Sequence, residues 1–282
     1  MVWLIDSYGW RTTCIIVAIL VWLIGFPMAA LVRHKPEQYG YLPDGDTQIT
    51  NSTRTTEAGG TTNAAKTVME DDFTVKEALK SPSFYLLALA FSTRSVASST
   101  IAAHQLPYLV QDLDMSTVAA ASIVSATAAF AIPARLIIGY LGDRWNKRYM
   151  YCVCLVLMSA SMFSFWHARG YGEVFLAAAL FSMAFGGTAP LMFSLRGEFF
   201  GRKNYGTIGG FMSPIMVGGT VGGPFWAATM FDLTGSYRTA FLTTAFINLA
   251  GVFFMLAAKR PTIVRPPIDT GASAEGVQPV SV

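Results

Sequence analysis

Two arginines stand inside stretches otherwise fit for hydrocarbon, and they are the residues of this sequence best placed to do chemistry. Arg94 lies near the middle of an apolar run at 84–104, among Ser92, Thr93, Ser95, Ser98, Ser99 and Thr100. Ser98 is one helical turn further on, on the same face. A cation at that depth costs about 2.5–3.5 kcal/mol on insertion scales, so intramembrane charge points to a working site. Arg135 sits in the next apolar run, nearer its end than its middle and close enough to reach partly towards water. Seventeen Asp and Glu occur in the chain, and none falls inside an apolar run. A buried guanidinium needs an anion or several carbonyls in place of its lost water. A negatively charged solute could supply the anion, as could an acid on another polypeptide. Carbonyls and serines holding Arg94 for packing alone are the third possibility.

Other chemistry is sparse. His104, followed by QLPYL, could pass a proton near neutral pH or anchor a helix at the membrane interface. Cys14, Cys152 and Cys154 show no metal-ligand spacing and read as small packing residues; no metal or cofactor is expected. No phosphate-cradling P-loop string occurs, which argues against an ATP-driven pump. Paired acids or a His with a Ser or Asp partner are also missing from the apolar runs, so an intramembrane enzyme is not expected. A retinal-type receptor would need a lysine inside a run, and there is none.

The elements that must position these residues follow from composition. Hydrophobic residues make up 53% of the chain and charged ones 13%. Apolar runs of about 20 residues, each able to cross a core of roughly 30 Å, recur along it. We read seven, near 10–32, 84–104, 117–138, 149–166, 174–195, 207–231 and 239–258. Lipid offers backbone groups no partner, so the runs must be helices. The fold class is therefore an all-α membrane protein with seven transmembrane helices.

Fifteen of the twenty Lys and Arg fall on one side if the runs alternate across the membrane. Positive charge is retained in the cytoplasm, which puts the amino terminus outside and the carboxyl terminus inside. The first run is too long, and lacks the basic leader, for a cleaved signal peptide. Residues 33–45 carry Pro36, Pro43, Gly40 and Gly45 and lead out of the membrane, and 46–69 read as a flexible linker. Thr74 and Glu77 have capping-box spacing, predicting a short surface helix that ends at Pro82. Gly218 and Gly222, like Gly219 and Gly223, are four apart and would let another helix approach closely. Pro133, Pro190, Pro214 and Pro224 interrupt runs and could serve as hinges. The tail from Pro261 is expected to be disordered.

GYLGDRWNKR at 139–148 joins two apolar runs, and it resembles the Gly-x-x-x-Asp-Arg-x-Gly-Arg-Arg signature loop of the major facilitator superfamily. It matches at Gly139, Asp143, Arg144, Lys147 and Arg148, with Asn146 where the family has glycine. YGWR (8–11), the PE-x-x-G-x-x-PDG string at 36–45, EALKSPSFYLLALA, HQLPYL, GEFFGRKNYGTIGG and DLTGSYRTAF extend the likeness to monocarboxylate and oxalate–formate type porters over nearly all of 8–258. The resemblance implies that residues 1–45 end an amino-terminal half with its sixth span. It makes 46–82 the central cytoplasmic linker, 83–260 a six-span carboxyl-half bundle of two inverted triple-helix repeats, and 261–282 the tail. It implies a gating latch at Asp143, and substrate carboxylate pairing at Arg135.

The expected function is secondary, proton- or anion-coupled transport of a small organic anion such as a monocarboxylate, at the cell membrane. Arg94, Arg135 and Ser98 would bind substrate and His104 would couple the proton. The partners expected are that solute, membrane lipid, and five further amino-terminal spans or a complementary half; nucleic acid is not among them. On this reading the chain is a partial transporter. A seven-helix receptor and a non-transporting membrane subunit are the other classes considered.

Overall fold

The computed structural model describes residues 2–31 and 73–261; the exit segment, the linker and the tail beyond Pro261 lie outside the described residues. The chain divides into two units, Met1–Lys66 and Thr67–Val282. In the first, helix α1 (Val2–Leu31) is bent at Gly9, whose φ of 74° is one that glycine adopts without a steric penalty. Thr13 Oγ1 donates to the Gly9 carbonyl at 2.9 Å beside the bend. The part fit to cross a membrane begins there, as Tyr8–Leu31.

The second unit opens with the expected short helix, α2 (Val75–Lys80). Glu77 accepts from the Thr74 amide at 2.8 Å, and Thr74 Oγ1 accepts from the Glu77 amide at 3.4 Å, so the capping box is present. Six long helices follow: α3 (Pro82–Gln111), α4 (Thr117–Arg144), α5 (Lys147–His167), α6 (Tyr171–Phe200), α7 (Tyr205–Thr234) and α8 (Arg238–Ala257). Every regular element among the described residues is an α-helix.

Among the described residues, six helices are long and apolar enough to span: Tyr8–Leu31 of α1 and all of α3, α4, α5, α6 and α8. α7, where the seventh span was expected, is a helix of 30 residues. Its seven glycines, with Pro214 and Pro224, dilute its hydropathy below that of the other six. Two expectations differ from the structure. The gap between the runs at 84–104 and 117–138 shrinks to 112–116, because α3 runs through Pro107 to Gln111. Hydropathy marks the stretch that suits hydrocarbon, whereas a helix continues for as long as its backbone bonds are met. The four prolines do not interrupt their helices: α4, α6 and α7 are continuous through Pro133, Pro190, Pro214 and Pro224.

α3 packs against α7 and α8, α4 against α6, and α5 against α6 and α8, while the chain neighbours α3 and α4 touch little. Small residues and hydrogen bonds make these contacts, as they must where burying apolar surface gains nothing over lipid. Of the two glycine pairs on α7, only Gly219 and Gly223 face α3. A Cβ at Gly219 would stand 2.6 Å from the Ser92 carbonyl, and one at Gly223 2.6 Å from the Val96 carbonyl. Gly218 and Gly222 have open space instead. Ser92 Oγ donates across the same seam to the Ile215 carbonyl at 2.9 Å. Between α5 and α8, Ser159 Oγ donates to Ala245 O at 3.1 Å and Asn248 Nδ2 to Leu155 O at 3.0 Å.

The DLTGSYRTAF string fastens one end of the bundle. Asp112, just past α3, accepts from Ser236 Oγ at 2.7 Å and from the Tyr237 amide at 2.9 Å. Arg238 donates to Ala168 O at the end of α5, at 3.0 Å. Asp112 thus caps the start of α8 from another helix. Asp112→Ala should lower the unfolding free energy by about 1 kcal/mol, the usual worth of an N-terminal cap, with Asp112→Asn losing less. Denaturation of the purified chain in detergent measures this, and equal stability of all three proteins would contradict the cap.

Candidate functional site

A cavity of about 500 Å³ opens between α3, α4 and α6. α3 supplies Ser98 and Gln105, α4 supplies Thr127 and Arg135, and α6 supplies Phe181 and Phe185; Ile101, Val124 and Ile132 complete an apolar lining. Gln105 Nε2 donates to Thr127 Oγ1 at 3.1 Å, which joins α3 to α4 at the polar end. The rings of Phe181 and Phe185 stack with centroids 5.7 Å apart and form a flat wall. Such a volume suits a small organic molecule.

Arg135 lines this cavity and is exposed within the bundle. Among the described residues it has no carboxylate partner. Arg94 sits one layer behind. Its Nε donates to Thr188 Oγ1 at 2.7 Å, and its guanidinium carbon lies 4.7 Å from the centre of the Phe185 ring. Phe185 therefore has Arg94 against it and the cavity before it. Thr188 in turn donates to the Phe185 carbonyl at 2.6 Å, which holds ring, hydroxyl and guanidinium as one group. Phe185, with Arg94 against it, lines the same cavity as Arg135, so the two cations share one region of the bundle. Close packing sets this arrangement: a Cβ on Gly186 would stand 2.5 Å from Ala131 O, so α6 lies hard against α4 beside Arg135.

The serines around Arg94 divide between two tasks. Ser98 reaches the cavity, whereas Ser92 and Ser99 sit on the seam with α7. His104 is held by α7: its Nε2 donates to the Pro224 carbonyl at 3.0 Å, and its ring lies 5.0 Å from that of Tyr237. A carbonyl can only accept, so this nitrogen carries the proton.

The GYLGDRWNKR string is mostly helix and not loop. α4 continues to Arg144 and α5 begins at Lys147, leaving Trp145 and Asn146 as the turn. Asn146 caps α5 by accepting from the Arg148 amide at 3.0 Å. Arg144 stacks over Tyr140 at 4.5 Å. Arg148 donates through Nε to Met255 O at 2.9 Å and through Nη2 to Leu256 O, satisfying carbonyls that the end of α8 leaves open. Asp143 is exposed and has no partner among the described residues. Gly139 has open space where a side chain would begin.

Sequence reading missed Gln105, Thr127, Phe181, Phe185 and Thr188. Gln105 was legible as a polar residue beside His104, once α3 is known to extend past 104. The aromatic wall carries no signal of its own, because Phe is ordinary in an apolar run.

The family model of the Major Facilitator Superfamily matches residues 1–213 and again 95–280. The chain belongs to that superfamily. It is a multi-pass membrane protein of a transporter family and not an enzyme. Over 148 residues, half of this chain, it is 30% identical to the "Uncharacterized MFS-type transporter YhjX" of Escherichia coli (strain K12). That stretch spans 36% of the relative's length.

Proposed function

We propose that this superfamily member contributes a helical bundle to a secondary transporter of small organic anions, and that the cavity is where the carboxylate binds. The observation that carries the reading is Arg135, a guanidinium on a cavity of about 500 Å³ with no carboxylate partner among the described residues. A bidentate guanidinium–carboxylate pair would hold the anionic end. Ser98 and the Gln105–Thr127 pair offer further polar contacts, and Phe181 and Phe185 an apolar face. Arg94 acts from behind Phe185, adding positive potential without touching the solute. A short monocarboxylate, with one charged end and an apolar body, fits such a lining.

Two inverted triple-helix repeats are supported by the packing. Exchanging α3–α5 for α6–α8 carries the pair α3–α7 onto α6–α4 and α5–α6 onto α8–α3, and leaves α5–α8 as itself. Residues 95–213 fall within both family matches, in keeping with such a repeat. On this reading α7 is a seventh span, and the side carrying most Lys and Arg is cytoplasmic. Alternating access would rock this bundle against a complementary one. α4 and α7 are equivalents under the exchange, and each has unpacked glycines (Gly139; Gly218 and Gly222) against which another helix could close. Proton coupling through His104 would require its bond to Pro224 to break during the cycle.

Equilibrium binding of labelled short-chain carboxylates to the purified chain in detergent tests the site. Saturable binding, resisted by excess carboxylate but not by the matching amide, is expected. If no carboxylate binds, or the amide competes equally well, the reading fails.

A further inference from the structure

A second cleft, of about 370 Å³, lies where the α4–α5 turn, the α6–α7 connection and the end of α8 meet. Lys147 at the start of α5, Arg202 between α6 and α7, and Arg260 after α8 all line it, with Glu198 the one acid among the described residues of its walls. These cations come from three separate segments, so local sequence does not explain their meeting. Lys147 and Arg260 make no hydrogen bond or ion pair among the described residues.

A fourth cation lies behind the wall. Arg196 is 8% exposed, and its Nε has no hydrogen-bond partner among the described residues. Its guanidinium carbon is 5.4 Å from the Tyr205 ring and 5.9 Å from the Phe193 ring, and both of these residues line the cleft. Like charges brought together repel unless an anion sits among them. Phe193, 53% exposed at the same cleft, offers an apolar surface beside the charges.

We infer that this cleft binds the phosphate group of an anionic phospholipid, with Lys147 and Arg260 on the phosphate and Phe193 against the start of an acyl chain. The ends of membrane helices are where headgroups lie, and juxtamembrane basic groups there contribute about 1 kcal/mol each towards anionic lipid. A soluble phosphate shares the charge but has nothing to place on Phe193. The site is separate from the carboxylate cavity and stands or falls independently of it.

The experiment uses the full chain purified in uncharged detergent and titrated with dioctanoyl phosphatidylglycerol, dioctanoyl phosphatidylcholine or inorganic phosphate. The rise in unfolding midpoint is followed, since a ligand of the folded state stabilises it by mass action. Phosphatidylglycerol should stabilise saturably, and Lys147→Gln with Arg260→Gln should raise its half-maximal concentration about 30-fold. The charge-matched pair Arg144→Gln with Lys259→Gln, cations that do not line the cleft, should change it less than threefold. Equal effects of the two pairs, or equal binding of phosphatidylglycerol and phosphatidylcholine, would overturn the site. Inorganic phosphate binding as tightly as the lipid, and lost in the same variant, would overturn the lipid and leave a soluble phosphate as the ligand.

Discussion

Arg135→Gln is expected to weaken binding of a short monocarboxylate about 10- to 100-fold in the purified chain, without changing its unfolding midpoint. A hydrogen bond to a charged group is worth roughly 1.5–3 kcal/mol, which is about that range in affinity. Stability should hold because Arg135 is exposed on the cavity and makes no hydrogen bond or ion pair among the described residues. Arg94→Gln should behave differently. Arg94 is bound to Thr188 and stacked on Phe185, so its loss removes both a cation and a support for the cavity wall. Weaker binding accompanied by lower stability is the expected pair of effects. Retained affinity in both variants, for every anion that the parent binds, would refute the anion reading. A fall in stability as large for Arg135→Gln as for Arg94→Gln would show the cavity arginine to be a packing residue.

Gly223→Val should produce a large loss of stability. The added side chain would begin 2.6 Å from the Val96 carbonyl and 2.6 Å from Ser99 Oγ, and a helix backbone cannot yield as a flexible side chain can. Overpacking of this kind costs about 1–3 kcal/mol, and a β-branched group against backbone belongs at the upper end. Gly219→Val should act alike, through the Ser92 carbonyl at 2.6 Å. Gly222→Val, one residue away in open space, should stay within about 0.5 kcal/mol of the parent. Thermal denaturation in detergent separates the cases. Similar midpoints for Gly222→Val and Gly223→Val would contradict the α3–α7 seam.

The contrast between these glycines shows what could be read early and what could not. Spacing of four marked both pairs as able to admit a helix, and only the rotation of α7 selected one of them. The serines near Arg94 behave in the same way. Their abundance was plain, but Ser98 goes to the cavity and Ser92 to α7 because of how α3 turns between its neighbours. Depth marked Arg94 as a candidate substrate ligand, and depth says nothing about direction. α3 directs it at Phe185 and Thr188, while the shallower Arg135 reaches the open cavity. The signature string was legible as the join between α4 and α5. That most of it is helix, and that Arg148 caps the far end of α8, depends on residues more than a hundred positions away.

By itself the sequence determined the solvent, the helices and their rough limits, the capping box at Thr74 and the superfamily. Each of these rests on local quantities: hydropathy summed over a span, backbone bonds closed within one helix, caps three residues apart. Only the tertiary structure decided which face of each helix is buried, which arginine meets open space, and which distant cations gather at one cleft. Helix rotation and pairing follow from close backbone approach and from hydrogen bonds between segments distant in sequence, and no local pattern carries that information.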